Sequence, residues 1–243
     1  NPELYIPLCA IKKQEVEIRI KLRDYRKIVI NSISGSYPST YPDNVTVEDI
    51  RLHNEIVFLD THDRMRIEKM KHEYVITQLQ YEEFEVDRGV ETGKFRLEFV
   101  NPVKEMYFVI QRIGDDIPPF DFDNDQTVAN NKYILYENLD HLTLDLDGEQ
   151  IITRDTGTVL FLKGVQGAIH HAKTQLVRRF YSYSFAMEPE KWYPTGQINF
   201  SHIKEQILNL SLTPSPNYDR YIRIYALSYN ILRVEGGTTK LLF

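Results

Sequence analysis

The chain is an all-β protein by its sequence, an antiparallel sandwich or barrel, on three observations. Strand-like alternation recurs from residue 73 to 236, turn residues punctuate it at short intervals, and no run of alternating helices and strands intervenes. Sixteen Tyr and twelve Phe against four Met add to this, because aromatic side chains suit a half-buried pleated surface.

Taken in order, Glu15–Arg23 reads E-V-E-I-R-I-K-L-R, with Val16, Ile18, Ile20 and Leu22 on one face, and predicts a strand. A loop rich in Ser, Pro and Tyr follows over 32–42, then a second strand over 47–59. Asp60-Thr61-His62-Asp63 supplies N-cap residues to a short helix over 64–70, and a domain boundary falls there. From Tyr74, Val75, Thr77, Leu79 and Tyr81 keep one phase and Phe84 and Val86 the other, which predicts a β-bulge at Glu82-Glu83. Further strands are expected at 95–99, 106–113, 132–136 and 142–152, the last broken by the turn dipeptide Asp147-Gly148. Residues 157–175 have no clean period and read as irregular. Strands return at 180–187, 197–212 and 221–234, the last apolar on both faces as a central strand would be, and Gly236-Gly237 marks a turn. The total over 73–236 is about eight strands.

Composition bounds the function. With 42% hydrophobic and 26% charged residues the chain is ordinary globular material. A net charge of -6 argues against coating nucleic acid, which requires a surplus of Lys and Arg. The single cysteine, Cys9, allows no internal disulfide and no zinc ribbon, so a reducing compartment is expected. No segment approaches the ~20 apolar residues of a membrane span, and Asn1-Pro2-Glu3-Leu4 lacks a signal-peptide pattern. The expectation is a soluble protein without an anchor. A start at Asn1 rather than Met suggests that residues upstream are missing.

No catalytic, cofactor or metal site is expected. Asp121-Phe122-Asp123-Asn124-Asp125-Gln126 opens like a calcium loop, but Gln126 replaces the turn glycine and Lys132 the bidentate glutamate, leaving a solvated acidic loop. His170-His171 are adjacent, would point apart on a strand, and have no acidic partner at ligand spacing, so they read as structural. The H-x-H of cupin metal sites is absent, as are a G-x-S-x-G elbow and a phosphate-binding glycine loop. Of three glycosylation triplets, those at Asn199 and Asn209 fall in predicted strands and only Asn44 is accessible by this reading.

Several segments, in order, resemble the major capsid proteins of nucleocytoplasmic large DNA viruses, the iridovirus and phycodnavirus group. Leu4-Tyr5-Ile6-Pro7-Leu8-Cys9-Ala10-Ile11 with Glu15-Val16-Glu17-Ile18 is similar to the family's L-P-L-x-A-L and E-V-x-I stretch. Asn101 to Phe108 resembles x-P-V-K-x-L-x-F, and Val165 to His171 resembles V-Q-P-Y-x-H-H with Gly167 and Ala168 departing from it. Phe180 to Ala186 and Pro194 to Ile203 look like Y-S-F-A-L and P-S-G-x-x-N-F-S-R-I, with His202 in place of the arginine. Tyr225 to Val234, then Gly236-Gly237, is similar to the family's Y-A-x-x-Y-N-x-L-R-I close.

The resemblance implies a double jelly-roll protein: residues 1–62 as the last strands of a first jelly roll, 63–71 as a short helical linker, and 72–243 as a complete second jelly roll. It further implies a homotrimeric, pseudo-hexagonal capsomer of an icosahedral virion shell, assembled in the host cytoplasm, whose partners are neighbouring capsomers and minor capsid proteins. The acidic stretch 115–131 would be an outward-facing loop. A poxvirus-type scaffold protein of immature particles and a carbohydrate-binding β-sandwich are the alternatives.

Overall fold

The computed structural model describes residues 5–22, 24–25, 46–113, 139–172, 180–213 and 219–243. It divides into two compact units, Thr77–Tyr229 and Asn1–Ile76 with Asn230–Phe243. The expected strand at 132–136, the acidic stretch with Asp121–Gln126, and Asn44 lie outside the described residues.

The strands are β1 (His72–Val86), β2 (Thr92–Arg96), β3 (Pro102–Arg112), β4 (Leu139–Leu146), β5 (Glu149–Ile152), β6 (Phe180–Ser184), β7 (Ile198–Asn199), β8 (Gln206–Leu212), β9 (Arg220–Glu235) and β10 (Thr238–Leu241). One sheet runs β1-β9-β3-β6, with β7 beside β3 and β10 beside β9; the other runs β2-β8-β4-β5. With the short β7 and β10 set aside, the strands interleave first-eighth-third-sixth and second-seventh-fourth-fifth. This is the order of a jelly roll, in which two Greek keys wrap a sandwich.

The core of the unit Thr77–Tyr229 lies between those sheets. Met106, Phe108 and Ile110 of β3 and Ile222, Ile224 and Ala226 of β9 face Leu142, Leu144 and Leu146 of β4 and Leu208, Leu210 and Leu212 of β8. Each strand alternates, so its apolar face is spent inward. The dipeptide Asp147-Gly148 joins β4 to β5 with both residues at positive φ, 51° and 85°, the turn that matches strand twist. Gln206 extends the second sheet beyond β2: its side chain accepts from Phe99 N at 3.1 Å and donates to Phe99 O at 2.8 Å, imitating a ladder rung.

In the other unit, Asp60 caps helix α1 (Thr61–Lys69) by accepting from Asp63 N, as the cap residues predicted. Gln14 Oε1 accepts from both Thr239 N and its hydroxyl, and Lys12 pairs with Glu68 at 2.6 Å.

Six expectations need correction. Residues 15–22 and 47–59 form no strand: Val16, Ile18, Ile20, Leu22, Ile50, Leu52 and Phe58 are all exposed. Alternation gives a strand its face but not its neighbour, and no described strand pairs with either segment. Burial alternates through β1 without a slip at Glu82-Glu83, so Val75, Leu79 and Tyr81 face outward while Phe84 and Val86 face in. Residues 159–170 are helical, with a π-type turn at Leu160–Val165 and an α-turn, α2, at Gln166–His170. The wide turn breaks the 3.6-residue period, which is why that stretch looks irregular in sequence. The 197–212 strand is split by a turn at Phe200–His202, where the Asn199 side chain accepts from Ser201 N. The 180–187 strand ends at Ser184, where Phe185 and Ala186 both donate their N–H to Lys104 O.

Candidate functional site

A polar cluster of the unit Thr77–Tyr229 lies on the outer face of β3. A bulge sets it there: Val103 pairs with Ser228 and Glu105 with Leu227, leaving Lys104 as the extra residue. The bulge reverses the phase, so that Val103 and Met106 enter the core and Glu105 turns outward beneath the helical segment.

Glu105 Oε2 accepts from the Tyr107 hydroxyl at 2.8 Å, and His171 Nε2 lies 2.5 Å from Oε1. His171 Nδ1 lies 3.5 Å from Glu190, whose carboxylate also accepts from Ala172 N. Lys104 Nζ donates to Pro189 O at 2.7 Å and sits over the Tyr229 ring. Gln166 Oε1 accepts from Ser184 N, fastening α2 to β6. Burial raises the Glu105 carboxyl above its ordinary range against the opposing pull of Tyr107, His171 and Lys104. Burial, then the neighbouring Glu105 carboxylate, pushes the Tyr107 phenol far up. Lys104 is lowered by burial, with Glu105 working the other way.

A second cluster spans β1, β9 and β3. Tyr81 and Arg223 both donate to Glu83 Oε2 at 2.5 Å, and Arg223 also donates to Gln111. Tyr81 packs on Tyr225, ring centroids 5.0 Å apart. Burial and Glu83 push the Tyr81 phenol up to about 12. Burial raises the Glu83 carboxyl, but Tyr81 and Arg223 outweigh it and the net shift is downward.

His170 and His171 sit at the end of α2, not on a strand, and they part company there. His170 Nδ1 meets Met187 O at 2.9 Å, while His171 finds Glu105, 66 residues away in sequence and beyond the reach of spacing arguments. Among the described residues no group of three His, Cys, Asp or Glu side chains is arranged to hold a metal ion. Cys9 is half-buried, Asn199 and Asn209 lie in β7 and β8 as expected, and His202 is exposed. No described helix is long and apolar enough to cross a membrane.

A jelly-roll sandwich whose buried charges fasten loops, rather than line a cleft, is the class that the fold and these clusters define. The family described as the large eukaryotic DNA virus major capsid protein matches residues 63–239, and the chain belongs to that family. It is 28% identical to the major capsid protein of Pyramimonas orientalis virus, over 98% of this chain and 57% of that protein. It is 24% identical to that of Paramecium bursaria Chlorella virus 1, over 98% and 62%. Among solved structures, the PBCV-1 virus capsid superposes with a TM-score of 0.58 at 22% identity, over 76% of this chain and 55% of that one. The Faustovirus major capsid protein gives 0.55 at 12%, over 73% and 36%. The chain thus spans less than two thirds of the length of these relatives.

Proposed function

We propose that the chain is part of a major capsid protein that serves as a structural shell subunit of a large double-stranded DNA virus, with no enzymatic activity of its own. The family match over 63–239, laid on a jelly-roll strand order, carries this reading. In it, residues 72–243 are a second jelly roll, 63–71 a linker, and 1–62 the last strands of a first jelly roll completed by other parts of the protein. The exposed alternation of Val16, Ile18, Ile20 and Leu22 supports that division, because a one-sided apolar strand needs both a ladder partner and a covering layer.

Three copies form a homotrimeric, pseudo-hexagonal capsomer, and closed symmetry of this kind lets identical rigid sandwiches tile an icosahedral virion shell. Its partners are neighbouring capsomers and minor capsid proteins rather than nucleic acid, and assembly takes place in the host cytoplasm. The relatives are named as capsid proteins, which sets a permanent shell ahead of a temporary scaffold or a carbohydrate-binding sandwich.

The full-length protein is expected to sediment as a trimer and to show hexagonal blocks in negative stain. The 243-residue chain alone should scatter light as a polydisperse aggregate. A monomeric full-length protein would end the capsomer reading, and a clean monomer of the chain would end the incomplete first jelly roll.

A further inference from the structure

We propose that His171, seated between Glu105 and Glu190, is a proton-operated latch that fastens the 187–195 loop to β3. Both ring nitrogens face carboxylate oxygens, Nε2 at 2.5 Å from Glu105 and Nδ1 at 3.5 Å from Glu190. A carboxylate only accepts. Both contacts are therefore attractive together only when both ring nitrogens carry hydrogen, or when Glu105 carries the proton and donates it to Nε2. Either arrangement holds one proton more than a neutral ring between two carboxylates.

Loss of that proton sets a lone pair against a carboxylate on one side of the ring. Glu105 cannot turn away: its side chain is 2% exposed and its other oxygen holds Tyr107. Glu190 is 50% exposed and can. The latch opens at Glu190, loosening a loop that displays Met187, Trp192 and Tyr193 to solvent. Lys104 to Pro189 O and His170 to Met187 O keep the loop attached, so the proton sets its tightness and not its fold.

Other charged or titratable residues on the elements packed there, among the described residues, include Lys104 and Tyr107 on β3, Lys163 and His170 on the helical segment, Tyr181 and Tyr183 on β6, and Glu188, Lys191 and Tyr193 on the loop. Lys104 and Tyr107 act on Glu105 directly. The sign is fixed by the extra proton: the closed form is favoured at low pH and lost as pH rises through the value at which the folded triad gives that proton up. The upward displacement of the Glu105 carboxyl by burial has the same sign.

The test is amide hydrogen exchange of the full-length protein, read in peptides covering 187–195 from about pH 4 to about pH 8.5, the span of carboxyl and imidazole titration. Rates are divided by those of an unstructured peptide of the same sequence, which removes the intrinsic pH dependence. Protection should fall by up to about tenfold per pH unit between the value at which the open loop gives the proton up and the higher value at which the closed latch does, and level off above it. Glu105→Gln, which keeps the acceptor and removes the charge, should move the transition to lower pH. His171→Gln and Glu190→Gln should abolish it. Wild-type protection constant across the range, or a transition unchanged in Glu190→Gln, overturns the latch; Glu190 lies on an exposed loop, so that variant decides the matter even if His171→Gln does not fold. The readout is confined to one loop, and the comparison of Glu190→Gln with wild type in the same assembly state separates the latch from any protection that assembly confers.

Discussion

Gly157→Ala is expected to destabilise the jelly roll by about 3 kcal/mol, a large effect for the addition of one methyl group. A Cβ at this position would stand 1.7 Å from the backbone oxygen of Leu142 and 2.8 Å from its carbon. Backbone cannot swing aside as a side-chain tip can. Leu142 N donates to Gly157 O at 3.0 Å, and Gly157 N donates to Thr153 O at 2.8 Å, so the two segments are tied at the point where the methyl group must fit. Leu142 is itself in the core, and any retreat pulls β4 from Leu210 and its neighbours on β8. Gly164→Ala is the matched control: it lies in the helical segment, its Cβ would meet only Leu160 Cδ1 at an ordinary 3.7 Å, and it should be neutral or stabilise by up to about 1 kcal/mol. Urea unfolding followed by circular dichroism separates them. Equal midpoints for the two variants would mean that the Gly157 contact relaxes at no cost.

The features legible in sequence are those that rest on local chemistry. The Asp60 cap, the Asp147-Gly148 turn and the two-faced apolar run of β9 each declare themselves within a few residues. Three other features are set by distant partners and leave no local mark. The outward turn of Val75, Leu79 and Tyr81 depends on which side of β1 the second sheet lies, and periodicity alone is silent about that. The bulge at Lys104 is one extra residue that no turn dipeptide or glycine announces, yet it decides that Glu105 meets His171 and not the core. Residues 15–22 show the reverse failure, a strong local pattern without the ladder that would make it a strand. Family resemblance reached the jelly roll through segments such as Asn101 to Phe108, which holds the start of β3 and its bulge, where periodicity could reach only a sandwich or barrel.

Arg220→Ala is expected to cost about 3 kcal/mol or more, since each charge-assisted hydrogen bond it removes is worth about 1.5–3. Sequence gives little warning of this, because arginine is rarely fully buried and Tyr-Asp-Arg-Tyr reads as the approach to a strand. In the structure Arg220 is 0% exposed at the head of β9. Its guanidinium donates through Nη1 to Thr213 O at 2.7 Å and through Nη2 to Val90 O at 2.8 Å. Those carbonyls lie just past the end of β8 and just before β2, neighbouring strands of the opposite sheet, where Leu212 N also donates to Glu91 O. One side chain thus bridges the two sheets of the sandwich at one end. Alanine leaves both carbonyls without this donor in a cavity the size of the lost side chain. Arg220→Lys keeps the charge but offers a single ammonium where a planar fork spans two acceptors, and should recover no more than about half of the loss. Unfolding midpoints for the three proteins decide it: a lysine variant as stable as wild type would show that charge alone, and not the fork between the sheets, is what the site requires.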